Sequence, residues 1–278
     1  MPCHRPAFAV TSGQTMKEAS AKDRAPFAPS TEVLGAPVHV IDMEQVVRLM
    51  EGWIDARERR WIAVTGSHGA LEAYKHPEFG VVLHAADLSV PDGRWAARVA
   101  ARKLSCPTQQ VRGADLVAAF CDRSRRKGYS NYFYGDTDEI LALATTRLRQ
   151  NYPGLKIAGT YSPPFRELSA EEDAHIVEMI NQTNPDVLWV ALGLPKQERW
   201  IVEHRSRLNV PVMVAVGAAL KFHSGKVVPS PLWASRAGLE WFWRLLHEPR
   251  RVWRRALVYG PQFMALSLLE LMQSRRKN

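Results

Sequence analysis

The chain has 278 residues, 46% hydrophobic and 23% charged, so it can fill a sizeable core and is neither a disordered polymer nor a fibrous repeat. Its formal net charge of +9 points to an anionic partner: phosphate-bearing substrates, a membrane surface or nucleic acid. Its three cysteines, Cys3, Cys106 and Cys121, have no short paired spacing, which argues against a disulfide framework or a zinc site and fits a reducing cytoplasm.

Residues 1–30, rich in Ala, Pro, Ser and charge, contain no apolar run long enough for a secretory signal and read as a disordered leader. Residues 31–235 alternate short β-rich runs with amphipathic segments, the pattern of an α/β domain with a Rossmann-like parallel sheet flanked by helices. "WIAVT" (Trp61 to Thr65) is a strand, and the apolar "HAADLSV" leads into "PDG" (Pro91 to Gly93). "NYFYG" (Asn131 to Gly135) precedes a helical "EILALATTRLRQ", and "LKIAGT" precedes a helix through "EEDAHIVEMINQ". "DVLWVALG" and "VPVMVAVG" flank the helix "KQERWIVEHRSRL"; their continuous apolar character predicts burial on both faces. Residues 236–278 form a helical appendage that carries most of the excess positive charge, with Trp241, Trp243 and Trp253 set among arginines. Its apolar stretch from Ala256 to Met272, interrupted by Gly260-Pro261, falls short of the ~20 residues of a membrane span. Aromatics beside cations suit a helix lying on an anionic membrane surface. A helix packed on the core with solvated arginines is the plainer reading.

In open parallel sheets ligands bind at the carboxyl ends of the strands. Here those ends are small or polar: Thr65 to Gly69, Gly135 to Asp138, Ser162 to Arg166, Gly193 to Glu198 and Gly217 to Ala219, predicted to meet along one rim. Asp92 is expected near the same rim. Asp-Gly is a common turn pair, yet a partly desolvated carboxylate there would have a raised pKa and accept a proton from a sugar hydroxyl. Asp136 and Asp138 form a D-x-D, which either holds a divalent cation or supplies, with Thr137, the cap of the next helix. Glu198 fits dipole complementarity at a helix start, whereas the Gln197 amide can both donate to and accept from a sugar or phosphate. His68, His84 and His223 are isolated, and no metal-ligand spacing, dinucleotide fingerprint, Walker loop or G-x-S-x-G motif occurs.

Taken in order, "PDG", "VRGADL", "FYGDTDE", "YPGLKIAGTYSPPFRELS", "NPDVLWVALGLPKQERWI", "VGAALKFHSGKV" and "GLEWFWRLLHEPRRVWRR" resemble the WecG/TagA/CpsF family of glycosyltransferases, from about Val33 to Arg255. The resemblance implies an inverting hexosyltransferase, independent of metal and cofactor. It would move a sugar from a UDP-sugar to a saccharide on a polyprenyl diphosphate, peripheral on the cytoplasmic, inner face of the bacterial cell membrane. The products would be teichoic acid linkage units, enterobacterial common antigen or exopolysaccharide. It gives Asp92 the role of general base, matches Thr65-Gly66-Ser67 to a T-x-N segment with Ser67 for asparagine, and sets Gln197 against the donor. Gly135, Gly193 and Lys196, in the strand-end clusters, join the substrate-binding set, and Arg112, Gly113 and Asp115 build another wall of the nucleotide site. Arg250, Arg251, Arg254 and Arg255 become the candidate cations for the departing diphosphate. Two departures stand out: Lys221 where relatives read aspartate, and Pro229 where they read arginine.

Two other readings stay open. One is a catalytically altered membrane-associated scaffold, motivated by Lys221 and Pro229. The other is a nucleic-acid-binding module, suggested by the basic tail but disfavoured because the core lacks a basic, aromatic strand pattern. The sugar, acceptor linkage and any homo-oligomer are not legible from these residues.

Overall fold

The structure, a computed structural model, describes residues 27–228, 240–247, 250 and 253–277. Strands β1 (Ser30–Val33) and β2 (Ala36–His39) form an antiparallel hairpin, closed by Leu34 and Gly35 with φ of 52° and 79°. This arrangement suits a two-residue turn that follows the strand twist. Helix α1 (Met43–Asp55) follows, started by a capping box in which Asp42 accepts from Gln45 N–H and the Gln45 side chain accepts from Asp42 N–H. Then come β3 (Arg60–Thr65), α2 (Ser67–Lys75), α3 (Pro77–His84), β4 (Leu88–Pro91), α4 (Arg94–Leu104), α5 (Gly113–Lys127) and β5 (Ser130–Gly135). They are followed by α6 (Asp138–Asn151), β6 (Lys156–Tyr161), α7 (Ala170–Gln182), β7 (Val187–Ala191), α8 (Lys196–His204), β8 (Val212–Ala215) and α9 (Ala219–His223). The appendage contributes α10 (Glu240–His247), a π-helical stretch (Arg254–Tyr259) and α11 (Gly260–Lys277).

Strands β3 to β8 form one sheet in the order β4-β3-β8-β7-β5-β6, every neighbouring pair parallel. The α/β class and the flanked parallel sheet expected from the alternating pattern are therefore present. Side chains of a strand point alternately to its two faces. Ile62 of β3 joins a core with α1, α5 and α6, while Trp61 and Ala63 join a core with the hairpin, α2, α3, α4, α7, α8 and α11. With helices on both faces the central strands are buried throughout, which explains their unbroken apolar character.

Three local features add detail. Phe27 packs edge-on against Trp53 at 5.1 Å, and Ala28 is buried. Of the three residues able to cap α6, Thr137 does so, its Oγ1 accepting from Ile140 N–H at 3.3 Å. Gly260-Pro261 does not break the C-terminal segment. Pro261 lacks an N–H and its ring crowds the carbonyl four residues back, and the chain meets this by widening into the π-helical turn before resuming α geometry.

The appendage is docked on the core. Phe263 is 1% exposed, Trp95 Nε1 donates to Ser267 Oγ at 2.8 Å, and Glu270 accepts from Leu34 N–H at 3.2 Å and pairs with Lys103 at 2.9 Å. Leu257 of the π-helical turn and Met264, Leu268, Leu269 and Met272 of α11 are apolar and exposed. Among the described residues no helix is long and apolar enough to cross a membrane.

Candidate active site

Because the six strands run parallel, their carboxyl ends share one edge, and the residues after them line a common rim. At the β4 end, Asp92 N–H donates to Thr65 O at 3.0 Å, continuing the β3 to β4 ladder past the strands. The Asp92 Oδ1 accepts from Gly113 N–H at 3.1 Å, and Oδ2 lies 3.5 Å from where a Cβ on Gly66 would sit. The carboxylate thus caps α5 from a separate loop and stands beside the Gly66 turn. Gly113 suits this close approach, since a Cβ there would lie 3.1 Å from Val216 O of the β8 end, a tight contact. Asp92 is exposed rather than desolvated.

Thr65 is 2% exposed, with its Oγ1 accepting from Ser89 Oγ at 3.2 Å, so this hydroxyl braces β3 against β4. Ser67 begins α2 after the uncapped Gly66. Helices α4 and α8 likewise open at the rim, after Gly93 and Pro195, with no side-chain cap. Their first-turn N–H groups form a positive edge suited to phosphate oxygens. Arg112 precedes α5 and pairs with the exposed Asp115 at 3.5 Å, and Lys196 is exposed at the α8 start.

At the β7 and β8 ends, Gln197 is 2% exposed. Its Oε1 accepts from Gly193 N–H at 3.2 Å and Gly217 N–H at 2.9 Å, and its Nε2 donates to Glu198 Oε1 at 2.8 Å. The amide expected to meet the donor is thus engaged with the protein's own rim. At the β5 end Gly135, φ 113°, packs against Ala191, where a Cβ would lie 2.6 Å from the carbonyl carbon. Asp136, 9% exposed and with φ 56°, accepts at Oδ1 from Thr137 N–H at 3.1 Å and pairs with Lys221 Nζ at 3.5 Å. Lys221 therefore meets an acidic partner inside this chain. Asp138 is exposed at the start of α6, and among the described residues no three His, Cys, Asp or Glu side chains converge as a metal site.

His68 is at the rim rather than isolated: its ring stacks on Tyr259 at 5.3 Å, and Lys75 Nζ lies 5.1 Å from the same tyrosine ring. This contact fixes the end of the π-helical turn beside the Gly66 corner. Arg254, at the other end of that turn, is exposed and lies over Trp253 at 5.3 Å, and Arg250 is exposed. Arg251 and Pro229, and the Arg255 side chain, lie outside the described residues. Burial holds His223 below the usual histidine range, and its Nε2–H donates to Ala114 O at 2.9 Å, tying α9 to the start of α5.

The model of the glycosyltransferase WecG/TagA/CpsF family matches residues 31–277. The chain belongs to this family. Curated relatives carry the name N-acetylglucosaminyldiphosphoundecaprenol N-acetyl-beta-D-mannosaminyltransferase. The chain is 31% identical to the one from Bacillus spizizenii over 213 residues, 76% of this chain and 80% of the relative. It is 27% identical to that of Bacillus subtilis over 228 residues, 82% and 86% of the two chains. To that of Staphylococcus aureus it is 26% identical over 235 residues, 84% and 90% of the two. The chain is thus a WecG/TagA/CpsF glycosyltransferase whose relatives act on a lipid-diphosphate-linked sugar.

Proposed function

We propose that this glycosyltransferase moves a sugar of the N-acetylmannosamine class from a UDP-sugar to a polyprenyl-diphosphate-linked saccharide, with inversion and without a metal ion. The observation that carries the reading is Asp92, an exposed carboxylate fixed at the strand-end rim by Gly113 N–H beside the Gly66 turn. In this reading Asp92 takes the proton of the acceptor hydroxyl as its oxygen attacks the anomeric carbon. The bond to the UDP oxygen breaks on the opposite side, which inverts the centre and leaves UDP as a diphosphate anion. The first turns of α2, α4 and α8, with Lys196 and the appendage arginines Arg250, Arg251, Arg254 and Arg255, stabilise that charge. The cations supply what a divalent ion supplies elsewhere. The exposed apolar face of α11, with exposed Arg250 and Arg254, supports seating on an anionic membrane surface where a lipid-linked acceptor resides.

Asp92→Asn tests the base directly, because the asparagine Oδ1 still accepts from Gly113 N–H and the cap survives. Transfer from UDP-N-acetylmannosamine to GlcNAc-diphosphoundecaprenol is expected to fall by about 10²- to 10⁴-fold, the usual worth of a positioned base, with melting temperature and UDP binding unchanged. Full activity of the variant would remove Asp92 from the mechanism. Loss of wild-type activity in EDTA, restored by manganese, would return Asp136 and Asp138 to consideration as ligands.

A further inference from the structure

Gln197 and Glu198 occupy the first turn of α8, where a glutamate ordinarily faces solvent and complements the helix dipole. Here both turn inward, at 2% and 1% exposed. A single oxygen, Gln197 Oε1, joins the Gly193 turn after β7 to the Gly217 turn after β8. Both turns have positive φ, 81° and 56°, conformations that leave glycine freer than other residues to shift. The two N–H groups select the oxygen end of the amide, and Glu198 Oε1 accepts from the nitrogen at its other end, so the amide is held from both sides. The other carboxyl oxygen, Oε2, is buried without a hydrogen-bond partner, an arrangement that costs stability. A leucine at this position would avoid that cost and would leave the amide nitrogen without its acceptor.

We propose that Glu198 is a positioning residue for sugar transfer, orienting the Gln197 amide so that it clamps the Gly193 and Gly217 turns at a fixed spacing in the middle of the rim. The inference rests on the rim being the transfer site, as proposed above. Strands β7 and β8 are neighbours at the centre of the sheet, between Asp92 on the β4 side and Asp136 on the β5 side. The clamp therefore sets the width of the cradle over which a sugar nucleotide would lie. Glu198 itself touches no substrate in this scheme.

The full chain and its Glu198→Leu and Glu198→Gln variants separate this role from a packing role. Hydrogen exchange read on peptides covering residues 190–197 and 214–220 reports the two turns without reference to activity. In Glu198→Leu the exchange is expected to be about tenfold faster or more, as for local opening. With UDP-N-acetylmannosamine as donor, its KM should rise about tenfold; a merely destabilised protein would instead lose active fraction and apparent kcat with KM unchanged. Glu198→Gln, whose carbonyl still accepts from Gln197, should restore both readouts to within about threefold. Unchanged exchange in the leucine variant overturns the clamp. Faster exchange with unchanged kcat and KM, or a glutamine variant as impaired as the leucine one, overturns the positioning role. A wild-type chain that shows no transfer would overturn the rim assignment and the positioning role built on it, with the exchange readout still judging the clamp.

Discussion

Asp92 serves two purposes with one carboxylate: Oδ1 holds the start of α5 and Oδ2 faces the Gly66 corner. The turn reading and the base reading of Asp-Gly are therefore compatible. Glu198 is the opposite case, a carboxyl held away from water. Burial pushes it up to about 7 from an ordinary 4.5, against a smaller opposing effect of the Gln197 hydrogen bond. Since the folded value is the higher one, folding favours the protonated form. The associated stability is fully present below about pH 4.5 and is lost as pH rises through about 7. Glu198→Gln, permanently neutral, should escape this loss, and its melting temperature should overtake that of wild type by pH 8. The gap is on the order of 3 kcal/mol at about 1.4 kcal/mol per unit; parallel melting curves from pH 5 to pH 8 would contradict it. The rim position of Asp92 was legible because strand ends can be read from apolar runs. The inward turn of Gln197 and Glu198 was not, since nothing local to α8 announces that the Gly217 turn, twenty residues on, will lie against it.

Most elements of the sheet could be placed from their apolar runs, because a strand covered on both faces carries its burial in every residue. The β1–β2 hairpin escaped notice: its strands are short, and its turn residue Leu34 is not a usual left-handed residue. The π-helical turn was also hidden, as Gly-Pro reads as a stop and only the docking of Phe263 and Tyr259 shows why the helix continues. That docking makes α11 a separable unit. Phe263→Ala removes a fully buried ring, a change worth about 3–5 kcal/mol in a core, and the appendage is expected to release before the sheet unfolds. Limited trypsin digestion should then clip the variant beyond residue 228 while leaving a folded core. Global unfolding at the same temperature as clipping would show that α11 is integral to the core.

At the scale of the molecule, the charge is unevenly placed: from Arg236 on, nine Lys or Arg face three Glu. The same segment carries the outward apolar stripe of α11. Together they predict binding to phosphatidylglycerol-containing vesicles that weakens with salt, each nearby cation contributing about 1 kcal/mol, and much weaker binding to neutral vesicles. Co-sedimentation tests this, and tight, salt-sensitive binding to duplex DNA in place of vesicles would favour the nucleic-acid reading.

The helices that begin at the rim after Gly66, Gly93 and Pro195 receive no side-chain cap from the residue that precedes them. At the two glycines this forgoes only a few tenths of a kcal/mol that a serine or aspartate in that place contributes. A diphosphate laid across these openings would supply the missing acceptors, so catching the donor and finishing the fold become one event. The edge of the sheet proposed to admit a substrate would then be the part of the protein that the substrate helps to complete.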